Sequence, residues 1–171
     1  MLAVGWRSPA KDWGEDNWAA LIQAIRRRWP GLAILLTGGE KDAARGARLS
    51  ALAPESVVNM CGASLWLTSA LFENARLTVA ADGGLMHLAV AAGSPVVALF
   101  SGVFNHGVWF PVGADHQILF QPVPCGGCGL SVCHEHGGLC MRSLTIDMVI
   151  GAMARSPATL TPAPVPAGVP Q

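Results

Sequence analysis

The sequence lacks an excess of charge of either sign, and it has few charged residues of any kind. Eleven basic residues balance eleven acidic ones, and only 13% of the 171 residues are charged. Proteins that bind nucleic acid through its phosphates carry a basic surface, and acidic tails need runs of carboxylates. The composition therefore argues against nucleic acid as a partner and favours small molecules or other proteins.

A hydrophobic run long enough to cross a membrane is also missing. The uncharged stretch of residues 88–104 is divided by Gly93, Ser94 and Pro95. Each half is shorter than the roughly 20 apolar residues that a spanning helix needs, so we expect a buried helix followed by a buried strand. The N-terminus shows no signal-peptide pattern, which predicts a cytoplasmic protein with reduced cysteines.

The sequence does contain an alternation of short apolar, β-branched runs with longer segments of helical spacing. The predicted strands are residues 2–5, 32–37, 56–60, 76–81, 95–100 and 117–120, and the predicted helices are residues 15–29, 40–52, 64–75, 84–92 and 144–154, the last entered through Ser143. Such alternation predicts an α/β fold, a Rossmann-like open parallel sheet with helices on both faces. Residues 1–155 are predicted to form this domain, and the Pro/Ala-rich residues 156–171 a disordered tail.

Residues 82–87 follow the fourth predicted strand and open the next helix, which is where open α/β sheets bind ligands. Gly83 and Gly84 would expose N–H groups to a diphosphate, His87 could donate to a phosphate oxygen, and Asp82 could fix the turn or bind a sugar hydroxyl. A glycine pair after a strand is also a common tight turn, in which Asp82 caps the helix. The spacing alone leaves both interpretations open. The G-x-G-x-x-G fingerprint is absent after the first strand, which disfavours an oxidoreductase.

The segment DGGLMHLAVAAGSPVVALFSG, residues 82–102, closely resembles the C-terminal half of glycosyltransferase family 9, the ADP-heptose:lipopolysaccharide heptosyltransferases. The resemblance continues in the family's order through Lys11-Asp12-Trp13 with Trp18, through LLTGG at residues 35–39 and through CGASL at residues 61–65. Together these matches span about residues 3–155. They imply the donor-binding domain of a two-domain GT-B enzyme.

By this resemblance, Lys11 approaches the donor phosphates, Asp82 the sugar hydroxyls, and Gly83, Gly84 and His87 the diphosphate. Where Gly83 stands, the family often has Thr or Ser, so one hydroxyl contact is lost here. For Lys11 the alternative is a solvated loop lysine.

Asn105 and His106 are candidate donor-loop residues, since they lie where the family has a T-D-P-x-x-W stretch. The sequence departs from that pattern at this place. For His106 the alternative is an exposed loop histidine without a functional partner.

The resemblance further implies a sugar transferase of lipopolysaccharide or other cell-surface glycan synthesis, acting at the inner face of the membrane. Transfer requires a stabilised diphosphate leaving group and a base, but no cofactor. The family's base lies in an N-terminal acceptor domain, so we expect this chain to be inactive unless a missing or separate domain completes it. The alternative is a non-catalytic nucleotide-binding or scaffolding module.

Cys125, Cys128, Cys133 and Cys140 form a C-x2-C-x4-C-x6-C pattern within the glycine-rich residues 124–141. Four thiolates suit a structural zinc ion or an iron-sulfur cluster, although this spacing fits neither the common zinc ribbon nor the ferredoxin run. Disulfides and free thiols are the alternatives. Cys61, which follows a strand, is expected to be a small buried side chain.

Overall fold

The structure is a computed structural model that describes residues 1–104, 107–158 and 160. Its strands are β1 (Leu2–Ala3), β2 (Ile34–Thr37), β3 (Val57–Asn59), β4 (Thr78–Ala81), β5 (Val96–Phe100) and β6 (Gln117–Phe120). Its α-helices are α1 (Glu15–Arg28), α2 (Ala43–Ser50), α3 (Leu65–Glu73), α4 (Gly84–Ala91), α5 (Leu139–Arg142) and α6 (Ile146–Arg155). Single 3-10 turns precede α1 at Pro9–Lys11 and α2 at Glu40–Asp42.

The strands form one sheet in the order β3-β2-β1-β4-β5-β6, and all neighbouring strands are parallel. From β1, the chain adds β2 and β3 on one side of the sheet. It then returns to the centre, where β4 pairs with the other edge of β1, and β5 and β6 follow on that side. The carboxyl ends of β1 and β4 are therefore adjacent at a topological switch point, where open α/β sheets form their ligand crevice. The predicted Rossmann-like fold is confirmed.

Side chains of β5 alternate between two hydrophobic cores because successive residues of a strand point to opposite faces. Val97 and Leu99 join the core that contains the buried faces of α1 and α6. Val96, Ala98 and Phe100 join the core that contains residues of α3 and α4. Helices therefore cover both faces of the sheet, as predicted.

Most predicted elements are present within a few residues of their predicted bounds, and two details differ. Ser143 does not begin the last helix: its hydroxyl donates to the Cys140 carbonyl (2.9 Å), and Thr145 caps α6 by accepting from the Met148 N–H (3.3 Å). The short helix α5 was not predicted, because a single turn is too short to show a hydrophobic period.

The described residues of the predicted tail lie next to the α/β domain. Ser156 and Leu160 are buried, Leu160 against the larger core. Residues 159 and 161–171, which make up most of that predicted tail, lie outside the described residues. None of the helices in the described part of the chain is long and apolar enough to span a membrane.

Candidate functional site

A cavity of about 670 Å³ opens at the carboxyl edge of the sheet, across the switch point. Its walls come from the residues after β1, β2 and β4 and from the first turns of α3 and α4. Three basic side chains, Arg7, Lys11 and Lys41, and two acidic ones, Asp42 and Asp82, line it. The balance of charge around this cavity is therefore positive, which suits an anionic ligand.

Lys11 and Asp82 form an ion pair in the wall of the cavity. The Lys11 Nζ lies 2.7 Å from the Asp82 Oδ2, and their side chains are only 16% and 7% exposed. The Lys11 ammonium also lies 4.7 Å from the centre of the Phe104 ring. Lys11 is thus not a solvated loop lysine, because two groups distant in the chain hold its charge at the site.

The turn at Gly83 and Gly84 presents the N-terminus of α4 to the cavity. No described side chain caps this helix end. The backbone of Gly83 is extended, and a Cβ built on Gly84 would meet no described heavy atom within 4 Å. Neither the conformation nor the packing of the protein therefore requires these glycines, and what they leave open is space beside the helix N-terminus, where anions bind.

A second glycine turn, Gly38-Gly39, follows β2 and does depend on close packing. A Cβ on Gly38 would lie 2.8 Å from the Asp42 Cβ, and one on Gly5 would lie 2.5 Å from the Asp42 Oδ2. The Asp42 side chain accepts a hydrogen bond from the Gly39 N–H (2.9 Å). Asp42 therefore holds the Gly38-Gly39 turn in the cavity wall.

The cavity wall includes Trp6, Arg7 and Lys41, which were not singled out from the sequence. The Lys41 ammonium lies 4.0 Å from the centre of the Trp6 ring, a cation–π contact that brings the ends of β1 and β2 together. The only signal in the sequence was position: Trp6 directly follows a predicted strand, and Lys41 is the second residue of the predicted helix 40–52. Trp13 and Trp18, by contrast, are core residues: their rings pack edge to face with centres 5.0 Å apart.

The other predicted site residues are placed less centrally. His87 is exposed on α4, with its ring centre 6.4 Å from that of Trp109, and it does not belong to the cavity wall. Asn105 and His106 lie outside the described residues. The geometry thus brings together Lys11, Asp82, Gly83 and Gly84 from the predicted set.

The cysteines are free thiols at different depths. Cys140 is buried, Cys125 and Cys133 are half-buried, and Cys128 is exposed. The Cys133 Sγ accepts a hydrogen bond from the Gly138 N–H (3.3 Å). Over the described ranges, no three His, Cys, Asp or Glu side chains are grouped so that they could hold a metal ion. As placed, the four thiols do not form a ligand set for zinc or iron, and the metal hypothesis stays a prediction.

Cys61 is half-buried rather than fully buried and packs against the larger core. Burial, with a smaller contribution from the nearby Asp42 carboxylate, raises the pKa of the Cys61 thiol to about 11. This cysteine is therefore a protonated, weakly nucleophilic thiol at neutral pH.

The sheet order defines the chain as a Rossmann-like α/β domain with a cavity at its switch point. The family model for glycosyltransferase family 9 (heptosyltransferase) matches residues 2–137. The chain belongs to glycosyltransferase family 9, which confirms the resemblance seen in the sequence.

Individual relatives agree with this assignment. Lipooligosaccharide heptosyltransferase 2 of Haemophilus influenzae is 33% identical over 97 residues, which cover 54% of this chain and 28% of that protein. The E. coli heptosyltransferase WaaC with ADP has the same fold, with a TM-score of 0.72, 21% identity, and coverage of 90% of this chain and 42% of WaaC.

A further structural relative is the dodecameric, iron-containing heptosyltransferase TibC in complex with ADP-D-β-D-heptose, from enterotoxigenic E. coli. It is 18% identical, with a TM-score of 0.65 and coverage of 91% of this chain and 44% of TibC. The chain therefore spans less than half the length of the relatives that it matches.

Proposed function

We propose that this chain is the donor-binding half of a heptosyltransferase-like enzyme and that its ligand is a nucleotide-diphosphate sugar resembling ADP-heptose. The observation that carries the proposal is the cavity at the switch point, which joins the Lys11–Asp82 pair to the uncapped N-terminus of α4. Family membership and the ADP and ADP-heptose bound by two structural relatives support this choice of ligand.

The diphosphate would lie between the Lys11 ammonium and the N–H groups at Gly83 and Gly84. These groups favour negative charge, which grows on the diphosphate as the bond to the sugar breaks, so they stabilise the leaving group. Asp82 holds Lys11 in place and is close enough to the same site to accept a hydrogen bond from a sugar hydroxyl. His87 would contribute a phosphate contact only from the rim.

The surface that binds the acceptor and the base that deprotonates it would belong to a second domain outside this chain, because the chain covers less than half of WaaC. The surface beside the cavity agrees with such an arrangement. Leu65 and Trp66 at the start of α3 are 71% and 88% exposed, and Leu65 lines the cavity. Large apolar side chains exposed at this place suit a covering partner surface. We expect the chain alone to bind donor without transferring the sugar.

We place the activity in lipopolysaccharide or other cell-surface glycan synthesis, on the cytoplasmic side of the membrane. The heptosyltransferase relatives support the pathway. Free thiols at all five cysteines suit a reducing compartment.

Calorimetric titration with ADP and ADP-heptose tests the proposal. Lys11→Met should weaken ADP binding by about tenfold to a hundredfold, since a hydrogen bond to a charged group contributes about 1.5–3 kcal/mol. Arg26→Met is the matched control, because Arg26 also pairs with a carboxylate, that of Glu55, but lies away from the cavity. Absence of ADP binding by the folded chain would refute the proposal.

The alternative is a non-catalytic nucleotide-binding module. The contribution of the sugar to ligand affinity distinguishes the two hypotheses. A donor-binding half should hold ADP-heptose more tightly than ADP, and Asp82→Asn should remove that difference. Equal affinity for the two ligands in the unaltered chain would favour the alternative.

A further inference from the structure

The basic side chains of the cavity are concentrated in one loop. Residues 5–11, which we name the β1 loop, follow the first strand and include Trp6, Arg7 and Lys11. Trp6 packs on Lys41, and Lys11 pairs with Asp82. The position of this loop therefore decides whether the cavity presents its positive charge to a ligand.

One arginine of α2 contacts both ends of the β1 loop. The Arg45 Nη1 donates to the carbonyl of Val4 (3.1 Å), the residue before the loop. The same guanidinium forms two parallel hydrogen bonds with the carboxylate of Asp12, the residue after the loop: Nη1 to Oδ1 at 2.9 Å and Nη2 to Oδ2 at 2.7 Å. The Arg45 side chain is only 15% exposed, so water competes little for these bonds.

The next arginine of α2 provides a contrast. Arg48 also forms two hydrogen bonds with a carboxylate, that of Glu15, both at 2.7 Å. Its side chain is 61% exposed, and its partner belongs to α1 rather than to the ends of the loop. Arg48 is therefore a matched control with the same chemistry on the same helix.

We propose that Arg45 is a positioning residue for ligand binding: it clamps Val4 to Asp12 and so fixes the β1 loop with the Lys11 ammonium against the cavity. This inference rests on the proposed function of the cavity. A loop held at both ends is ordered before the ligand arrives, so binding does not have to order it. The planar guanidinium can bond a carboxylate twice and a carbonyl at the same time, which a lysine ammonium cannot do in this geometry.

A double-mutant cycle on ADP affinity tests the clamp. Arg45→Ala should weaken ADP binding about tenfold, Arg45→Lys should restore little of the loss, and Arg48→Ala should leave the affinity within about twofold, because only Arg45 touches the loop ends. With Lys11 already replaced by Met, Arg45→Ala should change the affinity less than about twofold, since its effect passes through Lys11. A full tenfold loss in that background, or none in the unaltered chain, would overturn the proposal.

Amide hydrogen exchange of the ligand-free protein tests, without ADP, whether Arg45 orders the β1 loop. The N–H groups of Ala10, Lys11 and Asp12 are bonded to Ser131, Ser8 and Pro9. They should exchange at least several-fold faster in Arg45→Ala, and in the milder Arg45→Lys if the alanine variant does not fold, but not in Arg48→Ala. Unchanged exchange of these N–H groups in the Arg45 variants would refute the clamp. If Arg45 variants do lose this protection but the unaltered chain binds no ADP, only the proposed function is refuted.

Discussion

Replacing Gly84 with alanine is expected to separate ligand binding from folding. Gly84 is the first residue of α4, and a Cβ at this position would meet no described heavy atom within 4 Å. Substitution there costs no packing energy. Alanine also reduces the freedom of the unfolded chain and favours the helix, so the free energy of unfolding should rise by about 0.4–1 kcal/mol.

The same methyl group would occupy space that a bound phosphate needs beside the N–H groups of the α4 N-terminus. Losing one close charge-assisted hydrogen bond corresponds to about 1.5–3 kcal/mol, so ADP affinity should fall by about tenfold or more. Stability and binding thus move in opposite directions. A general defect in folding cannot produce that combination.

Urea denaturation measures the stability and calorimetric titration the affinity. Gly151→Ala is the matched control, because Gly151 lies within helix α6, away from the cavity, and its added Cβ would meet only the flexible end of the Arg155 side chain (3.3 Å). This control should gain stability without loss of affinity. If Gly84→Ala binds ADP as tightly as the unaltered chain, the helix N-terminus does not hold the diphosphate.

Three further predictions concern the cysteines. Because the pKa of Cys61 is raised from the ordinary value of 9.0 to about 11, this thiol should be alkylated about a hundredfold more slowly at pH 8 than a cysteine of ordinary pKa, as peptide mass spectrometry would show. The raised pKa contributes stability that is present below the ordinary value of 9.0 and is lost as pH rises towards 11, so urea midpoints of Cys61→Ser should depend less on pH across that window. Rapid alkylation of Cys61 itself in the folded protein at pH 8 would contradict its burial. The spacing of the four cysteines in residues 124–141 still predicts a structural metal, although their thiols are not grouped among the described residues. On that prediction, elemental analysis of protein purified under reducing conditions should find zinc or iron bound, lost in the Cys128→Ser/Cys133→Ser double variant and kept in Cys61→Ser. Metal-free protein would show that the four thiols serve no metal.

Several features of the fold and site were predictable because their signals are local in the chain. The apolar spacing of Trp18, Leu21, Ile22 and Ile25 predicts the buried face of α1, and the structure confirms it. The turn after β4 was equally visible, since a strand followed by Asp82 and two glycines is a local pattern. The short helix α5, which begins within the cysteine-rich residues 124–141, was not predicted, because a single helical turn shows no hydrophobic period.

Other parts of the site depend on pairs that no local pattern connects. Asp42 packs against Gly5 and Gly38, and Arg45 reaches Val4 and Asp12 from a different helix. Each of these side chains, taken alone in the sequence, is typical of a solvated helix surface. Their roles became apparent only where the sheet brings the ends of β1 and β2 together.

The sequence by itself determined the order of strands and helices and the family, because hydrophobic periodicity and short motifs depend on neighbouring residues. It also predicted a ligand site at the turn that begins with Asp82. Only the tertiary structure decided that Lys11 is an ion-paired wall of the cavity, that Trp6 and Lys41 share it, and that His87 stands outside it. The physical reason is the switch point: two strands distant in the chain become adjacent there, and their loops meet across it.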